Sequence, residues 1–184
     1  MNTKDKGVVI SLVEKARAGD KDAFEQIYRM YMQPIYRYIY FQVKSREEAQ
    51  DLTAEVFTKA FEKIGTFKDQ GFPVSSWLYK IARNAIIDNW KRKKPINLSQ
   101  IDNSENRFAE PEIDYSESID NEVEVKKLKL AMENLSEDQR EVITLKYIDD
   151  LKTAQIAKVT GKTEQAVRAA IYRGLIELKK QLKI

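Results

Sequence analysis

The sequence contains no cysteine and no histidine among its 184 residues. The absence of cysteine excludes disulfides and thiolate catalysis, and the absence of histidine removes imidazole general bases and the usual zinc or iron ligand sets. An enzyme would have to work with carboxylates or lysines. The sequence therefore predicts no metal site and no cofactor.

Long apolar segments are also missing. No run approaches the roughly 20 residues that a membrane-spanning helix needs. The N-terminal segment MNTKDKGVVISLVEK has neither the apolar region nor the small-residue cleavage site of a secretory signal. Because about a third of the chain is also charged, we expect a cytoplasmic protein that is not itself a membrane protein.

Glycine and proline are scarce, with six and four residues, and apolar residues recur at helical rather than strand spacing. The segments SREE, from Ser45, and SEDQ, from Ser136, are typical of capping boxes at helix starts. Near the C-terminus, Gly161 separates two short helical patterns, as in a helix-turn-helix. The sequence predicts an all-α fold of two small helical domains, a four-helix domain at 1–94 and a helix-turn-helix domain at 123–184.

Charge is unevenly distributed along the chain. The net charge is +6 over residues 1–94, −8 over 95–125 and +5 over 126–184. Residues 95–122 are also rich in serine, asparagine and proline, and their low apolar content cannot sustain a fold of their own. We expect an acidic linker between two basic domains, either a flexible tether or a segment anchored by its few apolar residues.

The segment SWLYKIARNAIIDNWKRKK, residues 76–94, predicts a helix with two distinct faces. One face is apolar and fits a core. The other carries Trp77, Lys80, Asn84 and Lys91 in one line. Exposed aromatics beside cations suit single-stranded nucleic acid, whose bases stack while lysines neutralise phosphates. The alternative is that the aromatics are core residues, which we expect of Phe67 and Trp90.

The last predicted helix also has a polar face, opposite its apolar stripe of Val167, Ile171, Leu175, Leu178 and Leu182. That polar face begins with Gln165, Arg168, Ala169, Tyr172 and Arg173. Amides and arginines at the start of a recognition helix are suited to base edges in the major groove, and alanine permits close approach. An ordinary solvated face is the alternative.

Four segments, in order, resemble the extracytoplasmic-function (ECF) sigma factors of the sigma-70 family. They are AGDKDAFEQIYRMY, REEAQDLTAEVFTKAF, WLYKIARNAIIDNWKR and LSEDQREVITLKYIDDLKTAQIAKVTGKTEQAVRAAIYRGLIELKKQL. The resemblance covers nearly the full chain. It implies a bacterial transcription initiation factor that binds core RNA polymerase, directs it to specific promoters and helps melt the −10 element.

The resemblance also implies roles for domains and residues. Residues 1–94 would be sigma region 2, which binds the β′ clamp helices and the −10 element, both duplex and melted. Residues 123–184 would be sigma region 4, which binds the −35 element and the β flap. An anti-sigma factor is a further implied partner. The implied polymerase contacts are Asp51, Leu52, Glu55, Val56 and Phe57. The implied −10 contacts are Lys68, Asp69, Gln70, Phe72, Ser75, Trp77, Lys80, Arg83, Asn84 and Lys91. The implied −35 contacts are Glu164, Gln165, Arg168, Ala169, Tyr172 and Arg173.

Some positions depart from the family pattern. Lys152 stands where a capping serine is usual, and Gln155 stands where glutamate is usual. Ala166 and Ala170 replace a hydroxyl residue and a basic residue of the recognition helix, which puts the phosphate contacts and the −35 sequence in question.

Two other classes of function compete with the sigma factor. A stand-alone helix-turn-helix repressor or activator would leave the DLTAEVF helix and the aromatic platform without a purpose. An enzyme would need carboxylates such as Glu55 or Asp88, which lie at ordinary ion-pair spacing from cations on helices. We predict that the protein is not an enzyme.

Overall fold

The structure, a computed structural model, describes residues 3–67, 73–93 and 122–182. Every regular element within these ranges is helical, which confirms the all-α prediction. The first domain contains α1 (Thr3–Arg17), α2 (Lys21–Tyr40), α3 (Arg46–Lys63), a 3₁₀ turn (Ile64–Thr66) and α4 (Val74–Lys93). The second contains α5 (Glu122–Glu133), α6 (Glu137–Ile143), a π turn (Thr144–Ile148), α7 (Thr153–Thr160) and α8 (Glu164–Leu182).

Helix starts and ends follow the capping residues of the sequence. The Ser136 side chain accepts a hydrogen bond from the Gln139 backbone N–H, and the Gln139 side chain accepts one from the Ser136 N–H, forming the expected capping box. Gly161 ends α7 with a φ of +71°, a left-handed conformation that glycine adopts without strain. Thr163 then caps α8, accepting from the Ala166 N–H at 3.1 Å.

A proline at position 34 predicts a kink or a restart of the helix; α2 does not restart there, and it continues from Lys21 to Tyr40. Proline removes one backbone hydrogen bond from a helix interior. Tyr31 and Ile35, on either side of it, are both buried. Packing of this apolar face against the rest of the domain therefore holds the helix together, since tertiary contacts supply most helical stability.

The core of the first domain lies between α2, α3 and α4, where Ile27, Ile35, Ile39, Val56 and Leu78 are fully buried. In the second domain, α6, α7 and α8 enclose the fully buried side chains of Val142, Leu145, Ile156 and Val167. The buried side chains of both domains form one apolar cluster.

The buried stripe of α8 differs from the one that the leucine spacing predicts. The buried residues are Val167, Ala170, Gly174 and Leu178, whereas Leu175 and Leu182 are exposed. The reason is close packing of α8 on α6 at Gly174: a Cβ atom there would lie 2.5 Å from Cδ1 of Ile143. In α8, Gly174 rather than Leu175 therefore faces the core.

The two domains pack directly against each other. Helix α4 contacts α7, and α2 contacts the π turn that follows α6. Helix α5 also reaches the first domain, where the Lys129 ammonium lies 3.7 Å from the centre of the Tyr40 ring. The helix predicted to read the −10 element therefore lies beside the first helix of the helix-turn-helix.

Candidate nucleic-acid and partner interfaces

The outward face of α4 presents the polar residues that the sequence predicts. Lys80, Asn84 and Lys91 are exposed, and Trp77 and Ser75 are half-buried. The Trp77 indole packs against the buried Phe67, with ring centroids 5.3 Å apart. Trp77 therefore belongs partly to the core and partly to the surface, an arrangement that holds an aromatic ring in a fixed position for stacking.

The expectation that Phe67 and Trp90 are core residues agrees with the structure. Phe67 is buried, and Trp90 is partly buried and packs on the core. The predicted −10 residues Lys68, Asp69, Gln70 and Phe72 lie outside the described residues.

Several cations at the end of α4 form ion pairs with acids of α3. The Lys93 ammonium lies 2.7 Å from Oε1 of Glu48, and Arg92 lies 3.6 Å from Oε2 of Glu55. Burial alone would raise the pKa of Glu48, but hydrogen bonds from Lys93 and Asn89 outweigh it and lower this pKa. Lys91 is largely free for a polyanion, since its pair with Asp88 is exposed and 3.9 Å long.

Helix α3 exposes only part of the set predicted to bind polymerase. Asp51 is exposed and Glu55 is partly exposed, but Leu52, Val56 and Phe57 are 3%, 0% and 4% exposed. Their spacing along the helix directs all three toward the core. In this structure these three side chains position α3, and a partner would meet Asp51 and Glu55 instead.

The carboxylates considered for catalysis are in ion pairs with neighbouring cations. Glu55 pairs with Lys59 and with Arg92, and Asp88 pairs with Lys91. Among the described residues no group of acids is arranged to hold a metal ion.

The predicted reading face of α8 is open to solvent. Glu164, Gln165, Arg168, Tyr172 and Arg173 are exposed, and Ala169 is half-buried between them. Arg168 pairs with Glu164 at 3.3 Å on the surface, an interaction that DNA can readily replace. Of the two departures from the family pattern on this helix, Ala166 is exposed and Ala170 is buried.

Arg83, one of the residues predicted to contact the −10 element, has a partner that the sequence does not predict. Its Nε donates to Oε1 of Glu141 in α6 at 2.9 Å, and the Tyr38 hydroxyl donates to the same oxygen, also at 2.9 Å. Burial raises the pKa of Glu141, and the Arg83 guanidinium and the Tyr38 hydroxyl offset part of this rise. Glu141, a buried acid of the second domain, therefore accepts hydrogen bonds from two side chains of the first domain.

A second ion pair joins the domains nearby. Nε of Arg37 lies 3.3 Å from Oδ1 of Asp149, whose side chain is fully buried. Oδ2 of Asp149 has no hydrogen-bond partner within the described ranges. Burial raises the pKa of Asp149 to about 7, and the Arg37 guanidinium and the Tyr79 hydroxyl offset part of the effect. A sequence signal for this pair does exist, since Arg37 is the single charge in the aromatic segment YRYIY.

Comparison with known proteins decides the family. The chain matches the family model for sigma-70 region 2 over residues 27–96 and that for sigma-70 region 4 over residues 126–178. It is 35% identical over 181 residues to the ECF RNA polymerase sigma factor BldN of Streptomyces coelicolor, covering 97% of this chain and 67% of BldN. It is 31% identical over 183 residues to the ECF sigma factor SigW of Bacillus subtilis, covering 93% of this chain and 95% of SigW. The chain belongs to the ECF sigma factors.

Solved sigma factor structures share the fold of this sigma factor. CnrH in complex with the cytosolic domain of CnrY matches with a TM-score of 0.74 at 20% identity, over 96% of this chain and 97% of that one. RpoE in complex with the anti-sigma factor NepR from Bartonella quintana matches with a TM-score of 0.69 at 19% identity, over 88% and 97% of the two chains. At these identities the likeness concerns the fold alone.

As a member of this family, the sigma factor is a transcription initiation factor. The matched families and relatives are sigma factors, and none of them favours a stand-alone repressor or activator. None of the helices in the described ranges is long and apolar enough to cross a bilayer.

Proposed function

We propose that this sigma factor binds bacterial core RNA polymerase in the cytoplasm, directs it to specific promoters and helps to melt the −10 element. The observation that carries the proposal is the pair of open polar faces on two different domains. The α4 face holds Lys80, Asn84 and Lys91, and the α8 face holds Gln165, Arg168 and Arg173. Two separate reading surfaces on one chain suit a bipartite promoter.

The proposed division of labour follows the domains. Residues 1–94 contact the β′ clamp helices and the −10 element, and residues 123–184 contact the β flap and the −35 element. The acidic linker at 95–122 connects them. The sigma factor needs no covalent chemistry for melting, because base stacking and a fitted pocket can offset the few kcal/mol that one extruded base costs. Phosphodiester synthesis belongs to the polymerase.

A protein inhibitor is a further proposed partner. The RpoE structure that shares this fold contains an anti-sigma factor, and the CnrH structure contains the cytosolic domain of CnrY. The exposed polar faces of α4 and α8 are surfaces on which such a segment can bind. Affinity capture with the full chain, followed by competition against core polymerase, tests this partner directly.

The main experiment combines a pull-down with a gel shift at fixed salt. Bacterial core polymerase is mixed with the full chain, with and without a library of promoter DNA. We expect stable binding to core and sequence-selective DNA capture only in the complex. Tight, selective DNA binding by the free chain with none to core would instead establish a conventional repressor or activator.

A further inference from the structure

The basic end of α4 consists of three adjacent cations at residues 91–93, whose side chains leave the helix in different directions. At about 100° per residue, Lys91 falls within about 40° of the line through Lys80 and Asn84, whereas Lys93 lies about 200° beyond Lys91. Lys91 is therefore on the polar face of α4 that is proposed to meet DNA. Lys93 is on the side of α4 that meets α3.

Glu48, in the first turn of α3, holds Lys93 in that direction. Its Oε1 accepts from the Lys93 ammonium at 2.7 Å and from Nδ2 of Asn89. Its Oε2 accepts from the Lys44 backbone N–H at 3.3 Å. The sequence predicts only a capping role for this acid, as the last residue of SREE. In the structure the same side chain joins the turn before α3 to the end of α4.

Burial distinguishes this ion pair from the one that Lys91 makes. The side chain of Glu48 is 12% exposed, whereas that of Asp88, which lies 3.9 Å from Lys91, is 58% exposed. An exposed pair contributes little and can be exchanged for a phosphate. A carboxylate that accepts several hydrogen bonds and has little contact with water keeps its cation. The helix dipoles reinforce this pair, since an acid is favoured at the start of α3 and a cation at the end of α4.

We propose that Glu48 is a positioning residue that decides which cation at the end of α4 binds promoter phosphate. By holding Lys93 against α3, Glu48 leaves Lys91 as the member of this pair of lysines that contacts the duplex. Phosphate contacts set the orientation of a protein on DNA, so this choice fixes the register of α4 on the promoter. The inference rests on the proposed function and adds the residue that orients its DNA contact.

The first test needs neither DNA nor polymerase. Lysines of the folded full chain are acetylated with limiting reagent, and mass spectrometry gives the rate at each site. We expect Lys91 to react faster than Lys93, because an ammonium bonded to a partly buried carboxylate is shielded from the reagent. Glu48→Gln should raise the Lys93 rate about threefold and leave the Lys91 rate unchanged. A Lys93 rate that does not respond to Glu48→Gln would overturn the proposal.

The second test counts phosphate contacts in the complex with core polymerase, on a promoter duplex recovered from the library. Each cation that neutralises a duplex phosphate steepens the slope of log affinity against log salt concentration by about 0.9. Lys91→Met should therefore lower the slope by about 0.9, and Lys93→Met should leave it unchanged. Glu48→Gln should steepen it by about 0.9, because the long Lys93 side chain is then released to phosphate. Adding Lys93→Met to Glu48→Gln should cancel that gain.

Glu47→Gln is the matched control. Glu47 is the exposed neighbour of Glu48 in the same turn of α3, so its loss changes the net charge equally without releasing Lys93. Glu177→Gln, which removes an acid of α8 that pairs with Lys180, controls for the loss of an acid elsewhere in the chain. Neither variant should alter the slope or the Lys93 rate. A slope that Glu47→Gln steepens as much as Glu48→Gln would assign the effect to net charge and overturn the proposal.

Lys93→Met keeps the test decisive even if Glu48→Gln unfolds the first domain. A slope lowered by Lys93→Met as much as by Lys91→Met would show that Lys93 already binds phosphate, which refutes the role of Glu48. Should the chain fail to bind core polymerase, the proposed function falls, while the acetylation rates and the slopes of the free chain on duplex DNA still decide whether Glu48 directs Lys93 away from phosphate. Should it bind core and select promoters with equal contributions from the two lysines, the sigma factor function stands and the positioning role is refuted.

Discussion

Trp77 occupies an intermediate position between core and surface. Its indole is half-buried and packs against Phe67, and Lys80, on the same polar face of α4, is exposed. Because packing against Phe67 already restricts the Trp77 ring, the ring loses little further conformational entropy when a base stacks on its exposed part. The sequence places it on the polar face, and the structure adds the support that would make it an effective platform.

We expect Trp77→Ala to spare polymerase binding and to impair promoter opening. The lost ring removes a stacking surface worth about 1–3 kcal/mol, and it should also lower the stability of the first domain, by about 1–3 kcal/mol for a half-buried aromatic. Pull-down with core and permanganate reactivity of the melted strand measure the two effects. Trp77→Phe, which keeps an aromatic ring against Phe67, is the control. Loss of helical circular dichroism in Trp77→Ala alone would show that the residue serves packing instead.

Arg168 lies on the exposed face of α8, where Glu164 is its one ion-pair partner within the part of the chain that the structure describes. We expect Arg168→Ala to weaken discrimination at one base pair of the −35 element by about 1–3 kcal/mol. Selection of promoter libraries by the polymerase complex measures this change. Lys180→Ala, on the last turn of the same helix, should leave the selected sequence unaltered. A uniform loss of affinity over all sequences would identify Arg168 as a phosphate contact only.

The polar residues of single helices could be predicted because their exposure follows from helical periodicity. Lys80, Asn84 and Lys91 are exposed as expected. The partner of Arg83 could not be predicted in this way, because Glu141 lies 58 positions further along the chain. A pairing of that kind depends on how two domains dock, and no local pattern encodes it.

Among the elements, α8 shows how packing distance can override hydrophobic spacing. Its leucines predict a core stripe through Leu175, yet Gly174 faces α6 and Leu175 is 40% exposed. A glycine within a regular helix costs about 0.5–1 kcal/mol relative to alanine. The close packing of α6 against α8 offsets that cost. The glycine within the helical pattern was the sequence signal for this close approach.

We expect Gly174→Ala to destabilise the second domain by about 1–3 kcal/mol. The new methyl would lie 2.5 Å from Cδ1 of Ile143, so one helix must move. Chemical denaturation of the full chain measures the change, and Ile143→Val should recover part of it by removing the contacted atom. Gly7→Ala in α1 is the control: no atom lies within 4 Å of its Cβ position, and it should stabilise by about 0.5–1 kcal/mol. Equal effects of the two substitutions would contradict the packing argument.

For the whole molecule, the sequence predicts two domains and their separate surfaces but not their contact. Each domain has its own periodicity and caps, and these are local properties. The contact instead depends on isolated charges such as Arg37 and Asp149. Arg37 stands out as the single charge in YRYIY, but no local pattern identifies Asp149 as its partner. Both acids of the contact are nearly buried, with side chains 0% and 10% exposed for Asp149 and Glu141.

Those buried acids make domain separation sensitive to pH. Burial raises the pKa of Asp149 to about 7 from an ordinary value of 3.8, and the groups that face it are Arg37 and Tyr38 of α2 and Tyr79 of α4. Burial also raises the pKa of Glu141. In the packed arrangement Asp149 therefore holds a proton at a pH where a solvated carboxylate has lost it. Opening releases that proton, so opening is favoured as pH rises toward 7, and the dependence on Asp149 levels off above it.

Between about pH 6 and pH 8, Asp149 alone should shift the equilibrium toward the open arrangement by about tenfold. Because the chain has no cysteine, dyes can be attached at Ser11→Cys in α1 and Lys179→Cys in α8, two exposed positions. Single-molecule energy transfer between them measures this shift in the free chain. Asp149→Asn should flatten the response because an amide does not titrate, whereas Glu177→Gln should retain it. An unchanged response in Asp149→Asn would assign the effect to another group, and opening favoured at low pH would contradict the buried carboxylate as its cause.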